Sequence, residues 1–263
     1  MGGKSFMRMN HFKFNKLSLV TVLICLTVLT LTACGTEQRL MIGVNEGYAP
    51  FGFSEDGQKK GFEIELMQKI AEEAKFQIQL QSRSGGEILS ELKTRKLDAG
   101  IAGITIKESR RKTVDFSTPY LQTGQRMAVR TSRNDIHTTN DLAKKTVGAK
   151  IGTSGYEYAS KVDGVKEVRA FQKIEEAFRA LEHGKIDALI YDSPGIEHFA
   201  KQHGTIKATG KLLTSEHYAI ALPKGSKYTG RINNALKALG EDGTFERLYK
   251  KWFNEKPQSL PRE

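Results

Sequence analysis

From Leu40 onward, apolar positions fall into short runs, alternations and helical stripes in a regular order. Leu40–Val44 is an apolar run and predicts a first strand. Asn45–Phe51 contains Gly47 and Pro50, which break regular structure, so it reads as a loop. Beyond Phe62 the spacing changes: Leu66, Met67, Ile70, Ala71 and Ala74 share one face of a helix. Phe76, Ile78 and Leu80 alternate and predict a strand. Ser84-Gly85-Gly86 predicts a turn, Ile88, Leu89 and Leu92 a short helix, and Leu97–Ala102 a buried strand. Strand and helix in alternation argue for an α/β unit with a mostly parallel sheet.

The order then repeats. Arg126–Arg130 reads as extended, Thr146–Ala149 as a strand, and Tyr156 onward as a helix. Val168–Phe171 is a strand, and Ile174, Ala177, Phe178 and Leu181 form a helical stripe that stops at Gly184. Ile186–Tyr191 is a strand with Asp192 at its end. Ser193-Pro194 opens the next helix, with Ser193 as the N-cap and Pro194 in the first turn. Tyr218–Leu222 predicts one more strand. Two helical stripes follow, Ile232–Leu239 and Phe245–Trp252; together they are too small for a domain and must pack on one of the two halves.

Ligands of open α/β sheets sit just beyond the carboxyl ends of the strands. Those ends carry the chemistry here. Arg110 follows the Leu97–Ala102 strand, and its planar fork suits a carboxylate; with Arg111 and Lys112 it equally has the composition of a solvated helix end. Thr105 adds a hydroxyl. Asp192 can pair with an ammonium group, or cap the helix behind it. Lys150–Gly155 is glycine-rich and precedes a helix, so it is either an anion-binding turn or a plain connection. It lacks the Gly-Lys-Ser/Thr ending of a nucleotide-binding loop. Tyr48 is a candidate wall of the crevice. Glu197/His198 and Glu216/His217 read as exposed pairs, and no histidine has metal-ligand spacing.

Composition adds an address. Lys4, Arg8, Lys13 and Lys16 precede an uncharged run, Leu17–Ala33, and then Cys34. This is the order of a secretory signal, and the run is just short of the ~20 residues a membrane-spanning helix needs. Cys25 and Cys34 are the two cysteines of the 263 residues, so a chain beginning at Cys34 has no disulfide. The formal net charge is +11; loss of the four leader cations leaves +7. Lysines and arginines are scattered among acids with no basic stripe, which argues against nucleic acid.

Taken together, these stretches resemble the bacterial family 3 solute-binding proteins, the polar amino-acid receptors of ABC importers. The resemblance rests on Tyr48-Ala49-Pro50-Phe51, Gly61–Leu66, Leu97-Asp98-Ala99-Gly100, Gly103–Ser117, Thr146–Ala149, Ile186-Asp187-Ala188 with Asp192, and Gly243–Phe253. It implies an α/β, two-lobed periplasmic-binding-protein-like fold with two crossover hinge strands. Residues 1–33 are then the signal peptide, 34–39 a tether lipid-anchored at Cys34, 40–120 plus 219–256 the first lobe, and 125–214 the second. It also implies roles. Arg110 takes the α-carboxylate of an L-amino acid, with Thr105 and N–H groups near Ser154. Asp192 takes the α-ammonium with the Gly103 carbonyl and the Thr105 hydroxyl. Asn45, Glu46, Tyr48 and Lys150 read the side chain. Asn45 stands where glutamine and basic-amino-acid binders usually have Asp, Gly85-Gly86 replaces an aromatic, and Lys150 disfavours a cationic side chain. The expectation is therefore a monomeric receptor without cofactor or metal, preferring glutamine, then glutamate or arginine/lysine. It would sit on the extracytoplasmic face of the membrane and deliver to a permease and its ATPase. A cyclohexadienyl or arogenate dehydratase-like enzyme on the same fold, with Glu46 as its acid, is the alternative.

Overall fold

The computed structural model describes residues 39–257 and 259–261. The leader and Cys34 lie outside the described residues. Residues Arg39–Glu263 form one compact unit.

Strand β1 (Arg39–Val44) buries Leu40, Ile42 and Val44. The chain then makes a small antiparallel ribbon from β2 (Gly47–Tyr48), β3 (Gly52–Glu55) and β4 (Gln58–Lys60). Helix α1 (Phe62–Glu73) buries the expected stripe, and β5 (Gln77–Ser82) follows. Helix α2 (Gly85–Lys93) begins one residue after Ser84. The turn predicted at Ser84-Gly85-Gly86 is thus the first turn of a helix. Ser84 and Glu87 form a reciprocal capping box, which satisfies two otherwise orphaned N–H groups and outweighs the poor helix propensity of two glycines. Next come β6 (Ala99–Ile101), the short helix α3 (Glu108–Arg111), β7 (Val114–Phe116) and β8 (Leu121–Thr123).

The second half contains β9 (Gln125–Arg130), β10 (Thr146–Lys150), α4 (Ser154–Ala159), β11 (Glu167–Phe171), α5 (Ile174–Glu182), β12 (Ala188–Asp192), α6 (Ser193–His203) and β13 (Ile206–Thr209). The chain returns through β14 (Glu216–Tyr218) and β15 (Ala221–Pro223) to α7 (Thr229–Glu241) and α8 (Thr244–Phe253). The single strand predicted over Tyr218–Leu222 is therefore two, because the backbone changes partners. Tyr218 pairs with Leu121, whereas Ala221 pairs with Gly100 and Phe116.

Two five-stranded sheets result, ordered β5-β1-β6-β15-β7 and β11-β10-β12-β9-β13. Each has three strands joined by parallel pairing and an antiparallel side. Two connections run between them, and they pair with each other: β8 and β14 are antiparallel, with Glu216 opposite Thr123. The C-terminal helices belong with the first sheet. Phe62 of α1 meets Phe245, Tyr249 and Phe253 at ring-centroid distances of 5.7, 5.8 and 5.3 Å. Burial of such aromatic faces docks α8, which is too short to be stable alone.

Candidate functional site

The site begins where β6 ends. Gly103 has φ +58°, and a Cβ there would come 2.6 Å from Tyr48 Cε1. Only glycine lets the loop turn left-handed and lie against that ring. The Gly103 N–H donates to Glu63 Oε1 at 2.7 Å. Glu63 is 1% exposed and also accepts from the Tyr120 hydroxyl. Burial pushes its carboxyl up to about 7, against the pull of those two hydrogen bonds. One buried acid thus ties the Gly103 loop to the residue that leads into the first crossing strand.

Arg110 lies on α3, half-buried, and its Nη1 donates to the Thr105 carbonyl at 2.9 Å. Burial lowers its pKa, and the fields of Glu157, Glu216 and Asp192 oppose that shift. Opposite, Asp192 closes β12 and occupies the N-cap position of α6, which Ser193 was expected to fill. Its side chain makes no capping bond. Its carboxylate instead accepts from Gln125 Nε2, beside the Tyr48 and Tyr218 hydroxyls, which hydrogen-bond each other at 3.1 Å. Burial raises it to about 6, and Glu216 adds to the rise. The Asp192 side chain is thus not spent on capping the helix.

These two groups of opposite charge, carried by different sheets, line one cavity of about 300 Å³. Asn45, Tyr48, Gly103, Thr105, Lys150 and Ser154 line it too. Asn45 also accepts the Gly47 N–H at 3.0 Å through its side chain. Ser154 begins α4, and its Oγ is 3.4 Å from Thr105 Oγ1 across the crevice. Lys150 is half-buried; its pKa is lowered by burial, with Glu175 and Asp192 acting against this, and its ammonium has no hydrogen bond or ion pair among the described residues. Glu46 is the exception. It is held by Lys59 and Ser82 and is not on the cavity wall. A neighbouring lysine captures it before it can face a ligand.

Three groups escaped sequence reasoning. Gln125 is fully buried and bridges Asp192 to Glu216. Glu216, read as an exposed acid, is 8% exposed, because alternation along β14 turns Glu216 and Tyr218 inward and His217 outward. Glu63 carried a usable signal, a carboxylate inside the apolar stripe of α1; the other two depend on how the crossing strands pair, which leaves no local trace.

Residues 40–255 match the bacterial extracellular solute-binding proteins, family 3. The chain belongs to that family. It is 32% identical over 219 residues to the L-cystine-binding protein TcyJ of Escherichia coli, covering 81% of this chain and 82% of the relative. It is also 32% identical over 236 residues to the ABC transporter glutamine-binding protein GlnH of Bacillus subtilis, covering 87% and 86%. An ancestral arginine-binding protein bound to glutamine superposes with a TM-score of 0.78 at 34% identity, covering 82% of this chain and 98% of that one. The family 3 chain is therefore an amino-acid-binding protein of the ABC-transporter class, and the fold is the two-lobed one. No helix of the described residues is long and apolar enough to cross a membrane.

Proposed function

We propose that this family 3 protein captures a polar L-amino acid, L-glutamine in preference to glutamate, arginine or lysine, and hands it to an ABC permease with its ATPase. The observation that carries the reading is the pair Arg110 and Asp192, opposite charges on different halves facing one cavity. A zwitterion contacting both favours the closed arrangement over the open one, and only such differential affinity shifts that equilibrium. Charge-assisted hydrogen bonds of roughly 1.5–3 kcal/mol each are enough for micromolar affinity, about −8 kcal/mol.

The side-chain preference rests on Lys150. An ammonium with no hydrogen bond or ion pair among the described residues repels a cationic side chain and attracts a carbonyl or carboxylate oxygen. Beside it, Gly85 and Gly86 leave open space where a side chain would stand. Binding proceeds without bond making. The dehydratase alternative relied on Glu46 as its acid, and Glu46 is engaged by Lys59 away from the cavity. The protein acts as a monomer tethered by lipid at Cys34 on the outer face of the membrane, with residues 1–33 removed.

Calorimetry with the mature protein and a panel of L-glutamine, L-glutamate, L-arginine, L-lysine and L-cystine tests this. Tightest binding of L-glutamine is expected; tighter binding of arginine or cystine overturns the preference, and binding of none overturns the function. Cys34→Ser should move the protein from the membrane fraction to the soluble one, and continued membrane association would contradict the lipid anchor.

A further inference from the structure

Glu216 is a buried acid that makes no ion pair among the described residues. It lies on β14, the returning crossing strand, and three donors converge on its carboxylate: Thr105 Oγ1 at 2.8 Å, Thr214 Oγ1 at 3.0 Å and Gln125 Nε2 at 3.4 Å. In the first of these bonds the Thr105 hydroxyl donates and the Glu216 carboxylate oxygen accepts. A hydroxyl has one proton and two lone pairs. Thr105 is 4% exposed and lines the cavity. With its proton turned to Glu216 it offers the cavity lone pairs alone. Ser154 Oγ, at 3.4 Å, donates to one of them. The other is left for a donor in the cavity.

An amino acid brings N–H donors on its ammonium and none on its carboxylate. We propose that Glu216 is a positioning residue that makes Thr105 an acceptor for the ligand's α-ammonium and denies it to the α-carboxylate. This rests on the amino-acid reading of the cleft and divides its two ends. Arg110 and the N–H groups near Ser154 serve the carboxylate, whereas Asp192 and Thr105 serve the ammonium. Gln125 joins the two acids of the ammonium end, since its single amide nitrogen reaches both Asp192 and Glu216. The ligand end that carries positive charge is thereby linked to the hinge strand itself. A 2-oxo acid, which has only acceptors at the α-position, meets a lone pair and a carboxylate there and is rejected.

The test is a double-mutant cycle on the mature protein with Thr105→Val and Glu216→Leu, which removes the acceptor. Each is titrated with L-glutamine, L-arginine and L-cystine, with the 2-oxo analogue of glutamine as competitor. Each single variant should weaken amino-acid binding by about tenfold or more. The double variant should bind no worse than the weaker single one, because Glu216 acts through the Thr105 proton. Discrimination against the 2-oxo analogue should shrink about tenfold in either variant. Losses that multiply, or unchanged discrimination, overturn the proposal. The ligand-free cycle is read separately by melting temperature. There too the double variant should melt no lower than the lower single one, and additive shifts overturn the bond whatever the ligand proves to be. Failure of the wild type to bind any of the three amino acids counts against the function, and the ligand-free cycle still judges Glu216. If Glu216→Leu does not fold, Thr105→Ser, which keeps the hydroxyl, should retain affinity within about threefold while Thr105→Val loses it; equal losses sink the proposal.

Discussion

The two ends of the cleft are built on opposite electrostatic plans. At one end Arg110 is half-buried, carried on a four-residue helix and already engaged with a backbone carbonyl. At the other, Asp192, Glu216 and Glu63 are 8%, 8% and 1% exposed, with neutral polar groups around them: Gln125, Tyr48, Tyr218, Tyr120 and two threonines. Burial makes the charged forms of Glu63 and Asp192 costly, which raises both carboxyls, and a cation brought against Asp192 offsets that cost. Under the proposed function, the cationic end chiefly recognises, whereas the anionic end also carries a burial cost that a ligand ammonium relieves.

The largest expected effect separates the two ends. Arg110→Ala should weaken amino-acid binding by about 100-fold or more and leave the melting temperature of the free protein nearly unchanged. Asp192→Asn should lose binding by a similar factor but raise the melting temperature at neutral pH, since it removes a buried charge. Calorimetry beside thermal melts decides; equal melting shifts in the two variants would break the comparison.

The next effect is on pH. Glu63 and Asp192 have folded-state pKa values of about 7 and about 6, above the ordinary carboxylate range. Their contribution to stability is full below their ordinary values near ~4 and is lost as pH rises through 6 and 7, because only the folded state holds on to the protons there. For Glu63 this amounts to about 3 kcal/mol. Surface acids such as Asp115 and Asp141, lowered by hydrogen bonds, act the other way at more acid pH. Ligand-free melts should thus fall between roughly pH 5 and 8, and Glu63→Gln should flatten the slope; a slope that survives the substitution would assign it elsewhere.

Smaller still is the side-chain reading. Lys150→Met should reduce the ratio of glutamine to arginine affinity by about tenfold. Least of all is the bridge across the mouth, Lys107 Nζ to Glu157 Oε2 at 2.7 Å. Glu157 is exposed, so Lys107→Ala should weaken binding by no more than about threefold. A larger loss would mean that the bridge and not the ligand holds the halves together.

Much of this architecture was legible in the residues. The apolar stripe of α1, the alternation around Ile78 and the run Leu40–Val44 lie where the structure has a helix and two strands, because burial imposes periods of 3.6 and 2 on the chain. Arg110, Asp192, Thr105 and Lys150 were readable as strand-end residues and share one cavity. The mistakes came where a local rule met a competing partner. Gly85-Gly86 joined a helix because Ser84 and Glu87 cap it, and Glu46 left the site because Lys59 was closer.

The sequence by itself determined the class: two α/β halves, a returning C-terminal piece, and an arginine and an aspartate at strand ends. Tertiary structure alone decided which proton goes where. Glu216, Gln125 and Glu63 acquire their roles only when β8 pairs with β14 and the Gly103 loop folds over α1. Their partners lie 91 residues away for Gln125 with Glu216, and 40 for Glu63 with Gly103. Periodicity reports which face of an element is buried, but a hydrogen bond depends on the partner that burial brings to it, and across such separations the partner is set by the packing of whole sheets.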